Sequence, residues 1–228
     1  MGRAEAVAAA VSLAVGYLVG GIPFGLLLGR LKGVDVRAIG SGNVGATNVG
    51  RALGRRWGLV ALVLDISKGF FPAFFLAPFL AAALGCVDAP FAGATMGLGA
   101  VLGHVFSPYL LLRGGKGVAT TIGVFGALVH FWLALPLAGY LVVRKASGFV
   151  SAGSLALALL LPVAAFLHHR GDPGAGWSDV GFAFVAGALI VARHARNIGR
   201  LARGEEHAAA VRPVATGGDA DRGEEEAR

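Results

Sequence analysis

The chain has 228 residues, of which 56% are hydrophobic and only 14% charged, with a mean hydropathy of +0.71. A soluble domain of this length carries far more polar surface, so the chain reads as an all-α, polytopic integral membrane protein. Its formal charge of +7 reports topology before partners: no soluble basic domain exists to bind nucleic acid, and the single Cys86 excludes an intrachain disulfide or a cysteine metal cluster.

The first predicted span runs from about Ala6 to Leu31, crossing Gly20-Gly21 and Pro23. It is too long and its start, Gly2-Arg3, too weakly basic for a removable signal peptide. A hydrophilic loop follows, about Lys32 to Trp57, with Lys32, Arg37, Arg51, Arg55 and Arg56 set against Asp35 alone. The positive-inside rule makes this loop cytoplasmic and puts the N-terminus outside. Span two, about Gly58 to Leu84, contains Asp65 and Lys68; the stretch Gly85 to Pro90 has no Lys or Arg and suits the outer side. Span three, about Phe91 to Leu112, returns to a cytoplasmic loop.

The apolar stretch Val118 to Val143 poses a parity problem. Read as one span, it carries Arg144-Lys145 and the later Arg193, Arg196, Arg200 and Arg203 to the outside. Read as two shorter helices turning near Val129-His130, it keeps all of them inside, at the cost of helices below the usual ~20 residues. The second reading is the smaller violation. Span six is then about Gly148 to Leu167, an outer loop covers His168 to Ser178, and span seven is about Asp179 to Ala192. The expectation is seven transmembrane helices, N-terminus outside and C-terminus cytoplasmic. Residues 1–203 form one transmembrane domain, and 204–228 form a polar tail read as disordered. No internal repeat is apparent. The abundance of glycine, 37 residues, suits close helix packing through small side chains.

Three polar motifs fall on the cytoplasmic side. In the first, Gly40, Gly42 and Gly45 can take backbone conformations closed to other residues, so that successive amides could form an anion-binding nest. Ser41, Asn43, Thr47 and Asn48 add neutral side-chain hydrogen bonds, and the Arg51 fork suits phosphate or carboxylate oxygens. The second, Arg113-Gly114-Gly115-Lys116-Gly117, is no Walker A loop, because Gly117 stands where that motif needs Ser or Thr. Lys116 reads as a point charge held by a tight turn at a helix start. The third places His194 and Asn197 three apart, on one helix face. Asp65 and Lys68, one turn apart inside an apolar helix, read as a structural ion pair, and His104 as a core residue. No His has an Asp five positions later, and there is no Gly-x-Ser-x-Gly elbow, His-Glu-x-x-His or acidic metal cluster. An acyl-transfer enzyme built on this chain lacks an obvious protein base. A small anion transporter is the rival reading, but transporters favour paired repeats with a midplane site.

Taken together the motifs resemble the bacterial acyl-phosphate:glycerol-3-phosphate acyltransferases, the PlsY family. The resemblance covers about residues 12 to 207 and includes Lys32-Gly33-Val34-Asp35, the Gly40 to Asn48 run with Arg51-Ala52-Leu53-Gly54, and Leu64-Asp65 with Lys68-Gly69. It continues through Leu102-Gly103-His104, the Gly114 to Thr120 run, and His194 with Asn197. It implies transfer of an acyl group from a long-chain acyl phosphate to the sn-1 hydroxyl of glycerol 3-phosphate. Lysophosphatidic acid and inorganic phosphate are the products, in the first acylation of phospholipid synthesis at the bacterial cytoplasmic membrane. It implies no cofactor, no metal and no acyl-CoA, membrane lipids as surroundings, and coupling to an enzyme that makes acyl phosphate. Ser41, Arg51, Lys116, His194 and Asn197 match the family's essential positions. Gly114 and Gly115 match its phosphate-binding motif, Ser154 a substrate-lining serine, and Glu206, before His207, a structural ending. The donor phosphate itself is the expected acceptor of the hydroxyl proton, and the acyl tail is expected in grooves between spans.

Overall fold

Proline and glycine decide where this chain breaks. A computed structural model describes residues 2–86, 91–172 and 176–206, and within them all regular structure is helical. Parts of the two expected outer segments, 87–90 and 173–175, and the tail from 207 onward lie outside the described residues. Helices α1 (Arg3–Gly21) and α2 (Phe24–Leu31) flank Ile22-Pro23. Proline lacks an N–H and its ring crowds the preceding turn, so the helix breaks here and the last carbonyls before it are left without partners four residues on. Two buried side chains replace them: Ser107 Oγ donates to the Gly21 carbonyl at 2.6 Å and Lys68 Nζ to the Ile22 carbonyl at 2.8 Å. Lys68 also pairs with Asp65 at 2.8 Å. The expected structural ion pair is therefore present, and it also closes a helix break.

A loop with a short turn at Val36–Ala38 leads to α3 (Ala46–Leu53) and α4 (Arg55–Phe71), which continues through a widened π turn, Pro72–Leu76, into α5 (Ala77–Ala83). Helix α6 (Phe91–Val105) lies along α1 at very close range. A Cβ on Gly16 or Gly20 would collide with the Met96 or Ala100 carbonyl, and one on Gly99 or Gly103 with the Leu13 or Tyr17 carbonyl. Both helices place small residues four apart at the contact, so the backbones themselves touch.

Helix α7 (Val118–Leu128) ends one residue before the expected turn; His130 has φ +31° and opens a short 3₁₀ turn, His130–Leu133, before α8 (Ala134–Ser147). The apolar stretch is thus two helices. They part company: α7 packs on α4, and α8 on α9 (Val150–Gly171). At 11 residues α7 is about 16 Å long, roughly half the thickness of a hydrocarbon core. Helices α10 (Trp177–Arg193) and α11 (Ala195–Ala202) bend by 56° at His194. Phe125, Leu157, Leu161 and Ile190 fill the core where α7, α9 and α10 meet.

Among the described residues three helical segments are long and apolar enough to cross a membrane, Arg3–Leu31, Arg55–Ala83 and Val150–Gly171, with the bent pair ending in α11 a fourth. Large apolar side chains such as Leu31, Phe79, Leu159 and Phe184 point outward, as lipid requires.

Candidate active site

The first motif is a tight loop stapled by one amide. Gly40 and Gly42 have φ of +58° and +68°, a region that favours glycine, and Ser41 lies exposed between them. Asn48, 1% exposed, accepts from the Ser41 N–H at 2.9 Å and from Ser41 Oγ at 3.2 Å, and donates to the Val36 carbonyl at 2.8 Å. Its polar atoms therefore serve the loop before any ligand. Gly45 departs from expectation: its φ is −78°, and its N–H bonds Asn43 Oδ1 at 2.8 Å, a side-chain turn that starts α3. Thr47 and Arg51, four apart on α3, share a face. Arg51 makes no ion pair among the described residues.

In the second motif Gly117, with φ +86°, caps α7 and Lys116 precedes it. The Gly114 and Gly115 amides donate to the carbonyls of Val105 (3.1 Å) and His104 (3.0 Å). Their own carbonyls accept from Arg193 Nη2 and Nε at 3.4 Å each. The expected substrate-binding role of these two glycines has no free group to act through: every backbone polar atom of the pair is used internally. Glycine is needed because the loop crosses His104, where a Cβ on Gly114 would strike its carbonyl and one on Gly115 its ring nitrogen Nε2.

The third motif lies at the α10–α11 bend. His194 and Asn197 do not share a continuous helix; His194 ends α10 and caps α11. His194 is 2% exposed, and its Nδ1 sits 2.8 Å from the Ile190 carbonyl, an acceptor, so Nδ1 carries the proton and Nε2 the lone pair. Burial, reinforced by the charge of Lys116, lowers its pKa to about 4, leaving it neutral at physiological pH. Asn197 bridges two charges: Oδ1 accepts from Lys116 Nζ at 2.6 Å, and Nδ2 donates to Glu206 at 2.7 Å. Glu206 also accepts from Ser151 Oγ at 3.1 Å and Arg200 Nε at 2.9 Å. The three donors hold its carboxyl below the usual carboxylate range against the opposing effect of burial. Burial is also the main reason that Lys116 is pulled down to about 8.

These groups surround a cavity of about 420 Å³ between α3, α4, α7, α8, α9 and α11. Its lining combines polar and cationic groups, Ser41, Arg51, Lys116, His194, Asn197 and Arg200, with the apolar side chains of Leu62, Ile66, Ile122, Leu137 and Leu141. Asn43, Gly45, Thr47, Asn48 and Ser154 also line it, as do Asp65 and His104. Gly40, Gly42, Gly114 and Gly115 do not; they shape the loops behind it. Lys68 lines only a water-sized void next door, with Asp65 and His104.

The family model for glycerol-3-phosphate acyltransferases matches residues 10–204. The chain belongs to this family. A glycerol-3-phosphate acyltransferase of Anaeromyxobacter dehalogenans is 43% identical over 199 residues, covering 86% of this chain and 95% of that protein. Two crystal structures of PlsY (YgiH), an integral membrane glycerol 3-phosphate acyltransferase, are similar to it. The glycerol 3-phosphate form superposes with TM-score 0.75 at 38% identity, and the lysophosphatidic acid form with 0.74 at 36%; each match covers 88% of this chain and 94% of the other. The chain is accordingly an integral membrane acyltransferase of the PlsY type.

In this acyltransferase three contributors escaped the sequence reading. By sequence Arg200 reads as a topology marker and Ser151 and Tyr140 as parts of apolar spans, yet all three line the cavity. Ser151 carried a usable signal: it is three residues before Ser154 on α9, so both hydroxyls face one way. Glu206, which the resemblance gives as a structural ending, ties α11 to α9 and, through Asn197, to the second motif.

Proposed function

We propose that this acyltransferase moves a long-chain acyl group from acyl phosphate to the sn-1 hydroxyl of glycerol 3-phosphate, at the cytoplasmic face of the bacterial inner membrane. The observation that carries this reading is one cavity lined by both cationic and apolar groups. The apolar side chains from α4, α7 and α8 suit an acyl chain, and the cationic groups suit phosphate. Arg51 and Arg200 bring forked guanidiniums, and Lys116 keeps two N–H donors beyond the one given to Asn197.

In the reaction the substrate hydroxyl oxygen attacks the acyl carbonyl carbon, the bond from that carbon to the phosphate oxygen breaks, and phosphate leaves. The hydroxyl proton goes to a donor phosphate oxygen. The site supports this route because its own bases are poor: Glu206 already accepts three hydrogen bonds, and a His194 with pKa about 4 holds a proton weakly. His194 then acts through its Nε2 lone pair, accepting from and aiming the hydroxyl. Ser41 and its loop cradle the donor phosphate, and Ser154 borders the bound glycerol. Positioning of this kind lowers a barrier by on the order of 7–11 kcal/mol in favourable cases.

Purified protein in detergent, given glycerol 3-phosphate with palmitoyl phosphate or palmitoyl-CoA, tests the donor. Lysophosphatidic acid and phosphate are expected from palmitoyl phosphate alone. Equal turnover of palmitoyl-CoA would overturn the donor assignment, and turnover that required a sealed membrane would favour transport.

A further inference from the structure

Arg193 marks a cytoplasmic helix end in the sequence, and nothing in the proposed reaction uses it. A topological arginine reaches out to headgroups and water, as the exposed Arg196 does. Arg193 is half-buried, does not line the cavity, and turns back on the second motif. Its Nε and Nη2 donate to the consecutive carbonyls of Gly115 and Gly114. Its guanidinium also lies 6.0 Å from the Phe106 ring centroid. The Gly114 and Gly115 amides are tied on their other side to the end of α6.

We infer that Arg193 is a positioning residue, whose fork on two adjacent carbonyls fixes the Gly114-Gly115 peptides and so aims Lys116 into the cavity. This rests on Lys116 being a phosphate ligand, as proposed above. Among the described residues the Gly114-Gly115 backbone is held by the α6 carbonyls on one side and by Arg193 on the other, and the second support is the one contributed by α10. Since Arg193 ends α10 and His194 follows it directly, the same residue couples the second motif to the third. Two neighbouring carbonyls call for a planar fork; the single ammonium of a lysine reaches one of them. Glycines at 114 and 115 then serve close approach to His104 rather than phosphate binding, which explains why their amides face away from the cavity.

The test compares Arg193→Ala, Arg193→Lys and Lys116→Ala in detergent, by steady-state kinetics across pH and by thermal melting. The groups that face Lys116 are Glu206, Arg200, Arg51, Arg193 and His194. Arg193→Ala is expected to lower kcat/KM by about tenfold, a size typical of residues coupled through one network. It also removes one positive charge near Lys116, so the basic limb of the profile moves to higher pH. Arg193→Lys keeps the charge and loses the fork: its limb stays in place and its activity falls between the two. Wild-type activity in Arg193→Ala, or a loss with an unmoved limb, overturns the inference. Should Arg193→Ala fail to fold, Arg193→Lys decides: a native melt with reduced activity supports positioning, and full activity refutes it. Full activity in Lys116→Ala overturns the underlying phosphate-ligand reading, independently of either Arg193 variant.

Discussion

Lys116 stands at one end of a line of polar contacts that runs through Asn197 to Glu206 and Arg200. In the proposed reaction its protonated form is the phosphate ligand. With a pKa lowered to about 8, that form is complete well below pH 8 and disappears as the pH rises through it. The kcat/KM profile is therefore expected to fall on its basic side near pH 8 rather than near the usual lysine range of about 10.4. His194, neutral above about pH 4, contributes no limb near pH 6.5. A profile flat to pH 10, or one with an acid limb at 6.5 that vanishes in His194→Asn, would contradict this arrangement. At this scale Ser41, Arg51, Lys116, His194 and Asn197 were legible because a polar residue between apolar spans needs a purpose. The glycines were legible only as a group. Which of them lines the cavity, as Gly45 does, and which lies against the His104 carbonyl, as Gly114 does, depends on contacts made by distant elements, and no local pattern encodes it.

Among the elements, α1 and α6 depend on backbone contact. Gly103 meets the Tyr17 carbonyl, and neither backbone can move aside as a side-chain tip could. Gly103→Ala is expected to destabilise the protein by about 1–3 kcal/mol, the usual cost of overpacking. Gly181→Ala, on α10 with nothing within 4 Å of its added methyl, is expected to be neutral or mildly stabilising. Melting both variants in detergent checks the pair, and equal shifts would show that this contact is not tight in solution. Charge, not hydropathy, divided α7 from α8. The stretch Val118–Val143 is apolar throughout, so a window of span length passes through it unbroken, while Arg144 and Lys145 demand a second crossing. The structure gives the division a use: both helices, parting at His130, contribute apolar side chains, Ile122 from α7 and Leu137 and Leu141 from α8, to the cavity lining. The bend at His194 was not legible, because the sequence continues there with good helix formers and no Pro or Gly.

For the molecule as a whole, apolarity and charge count the bilayer crossings differently. Length and apolarity identify three or four crossings among the described residues, whereas loop charge asks for seven. The two counts differ over α6, α7 and α8, with 15, 11 and 14 residues, which are short for a straight crossing. Protein packing on α7 and the basic end of α8 give such helices a place in a locally thinned bilayer. We therefore propose seven crossings, with the N-terminus outside and all three motifs inside. Cys86 is the sole cysteine, so Cys86→Ala provides a silent background for labelling. Single cysteines at Arg56, Lys145 and Trp177, all exposed, report three decisive helix ends, those of α4, α8 and α10. An impermeant maleimide applied to intact cells is expected to reach position 177 and to reach 56 and 145 only after the membrane is opened. If position 145 reacts from outside while 56 does not, then α7 and α8 make one crossing between them. Arg144 and Lys145 would then face the outside, and the charge argument that divided the two helices would fall with them.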